Sequence, residues 1–238
     1  MPGPVVTPAE WHAARLDLLV KEKELTRSLA TLRSALRTFP VTALTKPYTL
    51  TGPSGPTTLP QLFSGKKQLI IYHFMLSPTD EAGCTGCSFL TDNLPSTLTH
   101  LHSRDTSLVL VSRAPIEKIE AFKKRMGWSF PWYSSFESDF NYDFQASLDG
   151  EIKKPVEYNY KPVDEGIKGE RPGLSVFWKG DGGEVFHTYS SYGRGLDGLL
   201  VTYGLLDLTP LGRQEEGEGK KMDWLLHDEY DESEEKKE

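Results

Sequence analysis

Between Trp11 and Leu36 the apolar positions Trp11, Ala14, Leu18, Leu25, Leu29, Leu32 and Leu36 recur mostly in steps of three, four or seven. That spacing predicts one long helix. Thr7-Pro8-Ala9-Glu10 has the form of a capping box with proline in the first turn, and Phe39-Pro40 supplies a stop. Lys21, Lys23 and Arg27 stand among Glu22 and Glu24 as on a solvated face. The favoured expectation is a helix packed on the body of its own chain. The alternative is an arm that pairs two copies as a homodimer, because near-heptad stripes also suit partner helices.

Downstream the pattern turns to strands alternating with helices. Tyr48-Thr49-Leu50 and Thr57-Thr58-Leu59 flank Gly52-Pro53-Ser54-Gly55, which predicts a β-hairpin. Gln68 to Met75 is an apolar run with little alternation, the mark of a strand buried on both faces. The loop Ser77 to Gly83 leads to a helix through Phe89, Leu90, Leu94, Leu98 and Leu101, with a kink expected at Pro95. Ser107 to Ser112 is a second buried strand, and Pro115 to Met126 a helix with Ile116, Ile119 and Phe122 on one face. This alternation implies a parallel core with right-handed crossovers.

Residues 128–144 hold eight aromatics, read as a loop folded over the sheet edge or as one wall of an apolar pocket. Residues 145–170 lack periodicity and read as an insertion. Leu174 to Trp178 and Glu184 to Tyr192 form a second hairpin, and Gly198 to Leu206 a last helix. The expected organisation is a helical extension over 1–45, an α/β domain over 46–213, and a polar tail over 214–238. That tail is pinned by Trp224-Leu225-Leu226 and expected to be disordered where 229–238 becomes almost wholly charged.

Composition narrows the function classes. The 238 residues carry a net charge of −7, which argues against a general nucleic-acid or anionic-membrane binder. No apolar run is long enough for a membrane span, and Met-Pro-Gly-Pro does not begin a secretion signal, so a soluble, cytoplasmic protein is expected. Only two cysteines are present, Cys84 and Cys87, too few for a disulfide-stapled secreted fold.

That pair carries the chemistry. It sits where a buried strand gives way to a helix, and unpaired N–H groups there stabilise a thiolate. Cys84 is expected to be the exposed nucleophile and Cys87, one turn inside, the resolving thiol, with Gly83 and Gly86 relaxing the backbone. The substrate would be a small-molecule or protein thiol or disulfide, or another small electrophile, with no cofactor. Two other readings stand beside it. Zinc or copper could be held by Cys84 and Cys87 with His73 and His187. Alternatively the chain is a non-catalytic interaction protein that works through its N-terminal helix.

Further candidates come from position. Strand alternation puts His187, Tyr189 and Ser191 on one face, where they could line a cleft. Arg194, between Gly193 and Gly195, could approach an anionic substrate or a thiolate. Arg113 follows a strand's C-terminal end, where open α/β sheets gather ligand groups. His73, Arg113 and Tyr189 are therefore candidate substrate-binding residues.

The element order resembles the thioredoxin fold. In that comparison Arg171-Pro172, just before Leu174, falls where the fold carries a cis proline facing the cysteines, so the resemblance adds Pro172 to Cys84, Cys87 and Arg194 as catalytic candidates. The strings LIIYHFM, GCTGCSF, SRAPIEKIEAFKKRMGWSFPW, SDFNYDF, VFHTYSSYGRGLD and LDLTPLGR resemble a thioredoxin-like family of unknown function found in bacteria and fungi, distantly similar to peroxiredoxins and thioredoxins. The similarity implies a central mixed sheet flanked by helices. Gly83 stands where thioredoxin-type sites usually have Trp, and Thr85-Gly86 where they have Gly-Pro. Ser77 and Glu81 stand where peroxiredoxins need Pro and Thr, with Pro78 one step off.

Overall fold

A computed structural model describes residues 3–216 and 223–230. In chain order the elements are α1 (Pro8–Arg37), β1 (Thr42–Ala43), β2 (Thr49–Gly52), β3 (Gly55–Thr58), the single turn α2 (Leu59–Leu62), β4 (Gln68–His73) and α3 (Thr85–Asn93). There follow the turn α4 (Thr99–His102), β5 (Thr106–Ser112), α5 (Ile116–Arg125), β6 (Trp132–Ser134), the turn α6 (Phe140–Asp143), β7 (Ser147–Leu148), β8 (Glu157–Tyr158), β9 (Lys161–Pro162) and β10 (Gly169–Glu170). The chain continues through β11 (Gly173–Lys179), β12 (Val185–Tyr192), a 3-10 segment (Gly193–Leu199) and α7 (Val201–Leu206).

One eight-stranded mixed sheet has the order β1-β12-β11-β4-β5-β6-β2-β3. β4, β5 and β6 run parallel, while β11 is antiparallel to both β4 and β12. The unit β4-α3-β5-α5-β11-β12-α7 thus lays its strands side by side as β5-β4-β11-β12. That arrangement, first strand inside and closing hairpin antiparallel, is thioredoxin-like.

The apolar runs of β4 and β5 follow from burial on both faces. Tyr72, Leu108 and Leu110 face one cluster, with Phe74, Cys87, Leu90, Ile119, Phe122 and Trp132. Ile71, Val109 and Val111 face the other, with Leu62, Phe63, Phe140, Phe144 and Phe177. At two residues per repeat, neighbours on a strand serve opposite clusters.

Several elements differ from the expectations. The N-terminal helix forms with its capping box, but no residue of it is buried. Trp11 remains 60% exposed and Leu25 62%. Other elements already cover both faces of the central sheet. The helix after the cysteines does not kink at Pro95; it ends at Asn93, and Leu94 is extended (φ −71°, ψ 153°) as a residue before proline should be. A separate turn, α4, then follows.

The aromatic run is not an edge-covering loop. It contributes β6, and Phe130 and Trp132 enter one cluster while Phe140 and Phe144 enter the other. The insertion holds two small ladders, β7 with β10 and β8 with β9. The last helix is split at Leu200 (ψ 88°) into the 3-10 segment and α7.

Trp224 stacks on Phe89 at 4.3 Å and 7°, and Leu226 is buried, so this segment is pinned to the body. Asp228 and Glu229 pair with Arg125. The rest of the charged tail, from residue 231, lies outside the described residues. Among the described residues no helix is long and apolar enough to cross a membrane.

Candidate active site

After β4 the chain passes through Phe74, Met75 and Leu76 into the loop that delivers the cysteines. Asp80 Oδ2 accepts the Ser77 N–H at 2.6 Å, and Lys118 Nζ donates to the Pro78 and Asp80 carbonyls at 2.6 and 2.7 Å. The loop is therefore tied both to itself and to α5. At Gly83 a Cβ would stand 2.5 Å from Phe122 Cε1 and 2.7 Å from Phe74 Cε1. Two core rings thus exclude any side chain there, which accounts for the glycine in place of tryptophan.

Cys84 is the N-cap of α3. Its N–H donates to the Met75 carbonyl at 3.1 Å, and its carbonyl accepts from the Ser88 N–H at 2.9 Å. The same Met75 reaches the second cysteine, its N–H donating to Cys87 Sγ at 3.4 Å. One residue at the strand's end thereby positions both sulfurs. Cys84 is partly exposed, Cys87 is buried, and both are free thiols.

Electrostatics separates the two. The Cys87 thiol donates towards Cys84 Sγ, and this, opposed by partial burial and aided by the facing N–H groups of Cys87 and Gly86, brings the Cys84 pKa down to about 6. Burial, then the neighbouring Cys84, pushes Cys87 well up. The Tyr72 hydroxyl acts the other way on Cys87 as a hydrogen-bond donor, while burial raises the tyrosine's own pKa.

The pair opens into a cleft of about 350 Å³ lined by Tyr72, Met75, Leu90, Leu196 and Leu200, with Pro172, Arg194 and Asp197. Pro172 thus shares the cleft with the cysteines, but the only cis peptide among the described residues is Lys154–Pro155, so the Arg171–Pro172 bond is trans. Tyr158 donates to the Pro172 carbonyl at 2.9 Å from outside the cleft. Arg194 stands at the rim, paired with Asp197 at 2.9 Å.

The remaining candidates are elsewhere. His73 follows Tyr72 and so points through the opposite face, stacked on Phe140 and Phe144. His187 packs on Phe144 and Phe177 on that same side. The metal set of Cys84, Cys87, His73 and His187 is therefore divided by the sheet. Among the described residues no three His, Cys, Asp or Glu side chains gather as a metal site.

The expected common face of His187, Tyr189 and Ser191 is broken by a bulge. Phe177 pairs with His187 but Val176 with Tyr189, leaving Thr188 as the extra residue. His187 then joins Ser190, its Nε2 2.7 Å from Ser190 Oγ, yet His187, Tyr189 and Ser191 still line one hollow, with Phe39 and Tyr160, apart from the cysteine cleft. Arg113 packs over the Tyr142 ring, hydrogen-bonds its hydroxyl and approaches Glu170 at 3.9 Å.

Sequence reasoning missed Tyr72, Met75 and Tyr158. A tyrosine in a strand buried on both faces must find a partner for its hydroxyl, and this was a usable signal for Tyr72. Met75 acts through its backbone and Tyr158 lies in the aperiodic insertion, so neither carried one.

The family described as "Bacterial protein of unknown function (DUF899)" matches residues 2–230. No curated protein matches the chain. Among solved structures, a PrxQ mutant from Xylella fastidiosa is 15% identical, covering 70% of this chain and 94% of its own, with a TM-score of 0.42. The peroxidoxin BcpB from Mycobacterium tuberculosis is 13% identical, covering 69% and 95%, with a TM-score of 0.45. Peroxiredoxin Q from Xanthomonas campestris is 19% identical, covering 65% and 87%, with a TM-score of 0.41.

Proposed function

The chain belongs to the DUF899 family of bacterial proteins of unknown function, and from that premise we propose that it is a thiol-dependent oxidoreductase acting on a disulfide or a small electrophile, with Cys84 as nucleophile and Cys87 as resolving thiol. One observation carries the proposal. A partly exposed thiol with its pKa near 6 caps a helix beside a buried thiol, and both open into one cleft. At pH 7 such a group is thiolate by about ten to one.

With a disulfide substrate the Cys84 thiolate attacks one sulfur, a mixed disulfide forms, and the other sulfur leaves as a thiolate that takes up a proton. Cys87 then loses its proton and attacks Cys84 Sγ. The Cys84–Cys87 bond forms and the second substrate thiol departs, so two protein thiols are oxidised as one disulfide is reduced to two thiols. With a hydroperoxide the first step leaves Cys84 as a sulfenic acid and releases an alcohol, and attack by Cys87 releases water. Arg194 at the rim suits an anionic substituent, and the leucine-lined wall suits an apolar one.

The test combines iodoacetamide labelling with intact mass. The reduced protein is expected to label at Cys84 far faster than an unperturbed thiol at pH 7, and to lose two hydrogens reversibly on oxidation. A Cys87→Ser variant should accumulate a stable mixed disulfide with an aromatic disulfide reagent. Slow labelling of the reduced native protein, or no internal disulfide under any oxidant, refutes the proposal.

A further inference from the structure

The helix α1 is 30 residues and, at 1.5 Å per residue, about 45 Å long. It carries an apolar stripe that nothing among the described residues covers. Trp11, Leu18, Leu25 and Leu32 stand seven residues apart, Ala14, Leu29 and Leu36 fill the same face, and the large side chains of this stripe are 39 to 62% exposed. Isolated helices draw little stability from propensity alone, so a helix this long with such a stripe calls for a packing partner.

Charge along the helix indicates which partner. In the first half, Glu10, Asp17 and Glu22 against Arg15 and Lys21 leave −1. In the second half, Lys23, Arg27, Arg33 and Arg37 against Glu24 leave +3. A parallel pair of these helices would set the +3 halves side by side. An antiparallel pair sets each −1 half against a +3 half and opposes the two helix dipoles.

We infer that α1 is the dimerisation arm of this protein and that its occupant is α1 of a second copy, packed antiparallel about a two-fold axis. The stripe is self-complementary in that direction. With Leu18 level with Leu25 of the partner subunit, Trp11 meets Leu32 of the partner subunit, and the small Ala14 meets Leu29 of the partner subunit. None of the residues that line the cysteine cleft belongs to α1, and the inference holds whether or not the thiols are catalytic.

Sedimentation of the full chain, up to high-micromolar concentration, is expected to give twice the single-chain mass. Leu18→Glu combined with Leu25→Glu should halve that mass while leaving the Cys84 labelling rate unchanged, which shows the body still folded. Direction is read in a Cys84→Ser, Cys87→Ser background. Mixed Ala14→Cys and Leu29→Cys proteins should cross-link to each other, and Ala14→Cys alone should not. A single-chain mass throughout, a dimer that survives both glutamates, or self-cross-linking of Ala14→Cys overturns the inference.

Discussion

Cys84 owes its ionisation first to the Cys87 thiol that donates towards it and only then to the helix N–H groups. That ranking makes a test. In the native protein the rate of Cys84 alkylation should rise with pH to half its plateau near pH 6, falling about tenfold per unit below it, because only the thiolate reacts. Cys87→Ala removes the leading contribution, so the midpoint should move up towards the ordinary thiol range; an unmoved midpoint would assign the effect to the backbone. Tyr72 belongs to the second step. Tyr72→Phe deletes a donor to the buried Cys87 sulfur, and closure of the internal disulfide should slow by about tenfold while first labelling of Cys84 is unchanged, as stopped-flow thiol kinetics would show. Gly83 limits both, since a Cβ there collides with Phe74 and Phe122; Gly83→Ala should cost about 1–3 kcal/mol in urea unfolding.

At the scale of elements, α3 is held from outside by a residue far along the chain. Trp224 stacks flat on Phe89, two residues past Cys87. Trp224→Ala should lower stability by about 2 kcal/mol in urea unfolding and raise labelling of Cys87 as α3 loosens. Much of this layer was legible in the sequence. The continuous apolar runs of β4 and β5 announced two-sided burial, and the cysteines were placed at the junction of β4 and α3. Other features depend on neighbours that no local pattern records. β6 has only three residues, too few for a period to show. The bulge at Thr188 shifts the alternation by one and brings His187 to Ser190. The stripe of α1 gave the helix, but a local pattern does not record which surface, if any, covers it.

For the whole molecule, stability should depend on pH through a polar chain buried beneath the sheet. His187 Nε2 meets Ser190 Oγ at 2.7 Å, Ser190 meets Ser175 at 2.9 Å, and Ser175 meets His73 Nε2 at 2.9 Å. His73 Nδ1 then meets Asn141 Oδ1 at 3.3 Å. Full burial lowers the His73 pKa to about 4, and burial lowers His187 as well. Both are depressed relative to an unfolded histidine near 6.5, so the unfolded chain takes up protons first as pH falls. The stability held above pH 6.5 is therefore lost progressively down to pH 4, by about 3 kcal/mol for His73 alone. Burial raises the pKa of Glu170, which contributes with the opposite sign and offsets part of the loss. His73→Gln keeps a polar side chain in the chain and removes the titration. Urea midpoints taken at about pH 7 and about pH 4.5 should differ less in this variant than in the unaltered protein. Equal differences would mean that the acid sensitivity arises elsewhere and that His73 is not the group that fixes it.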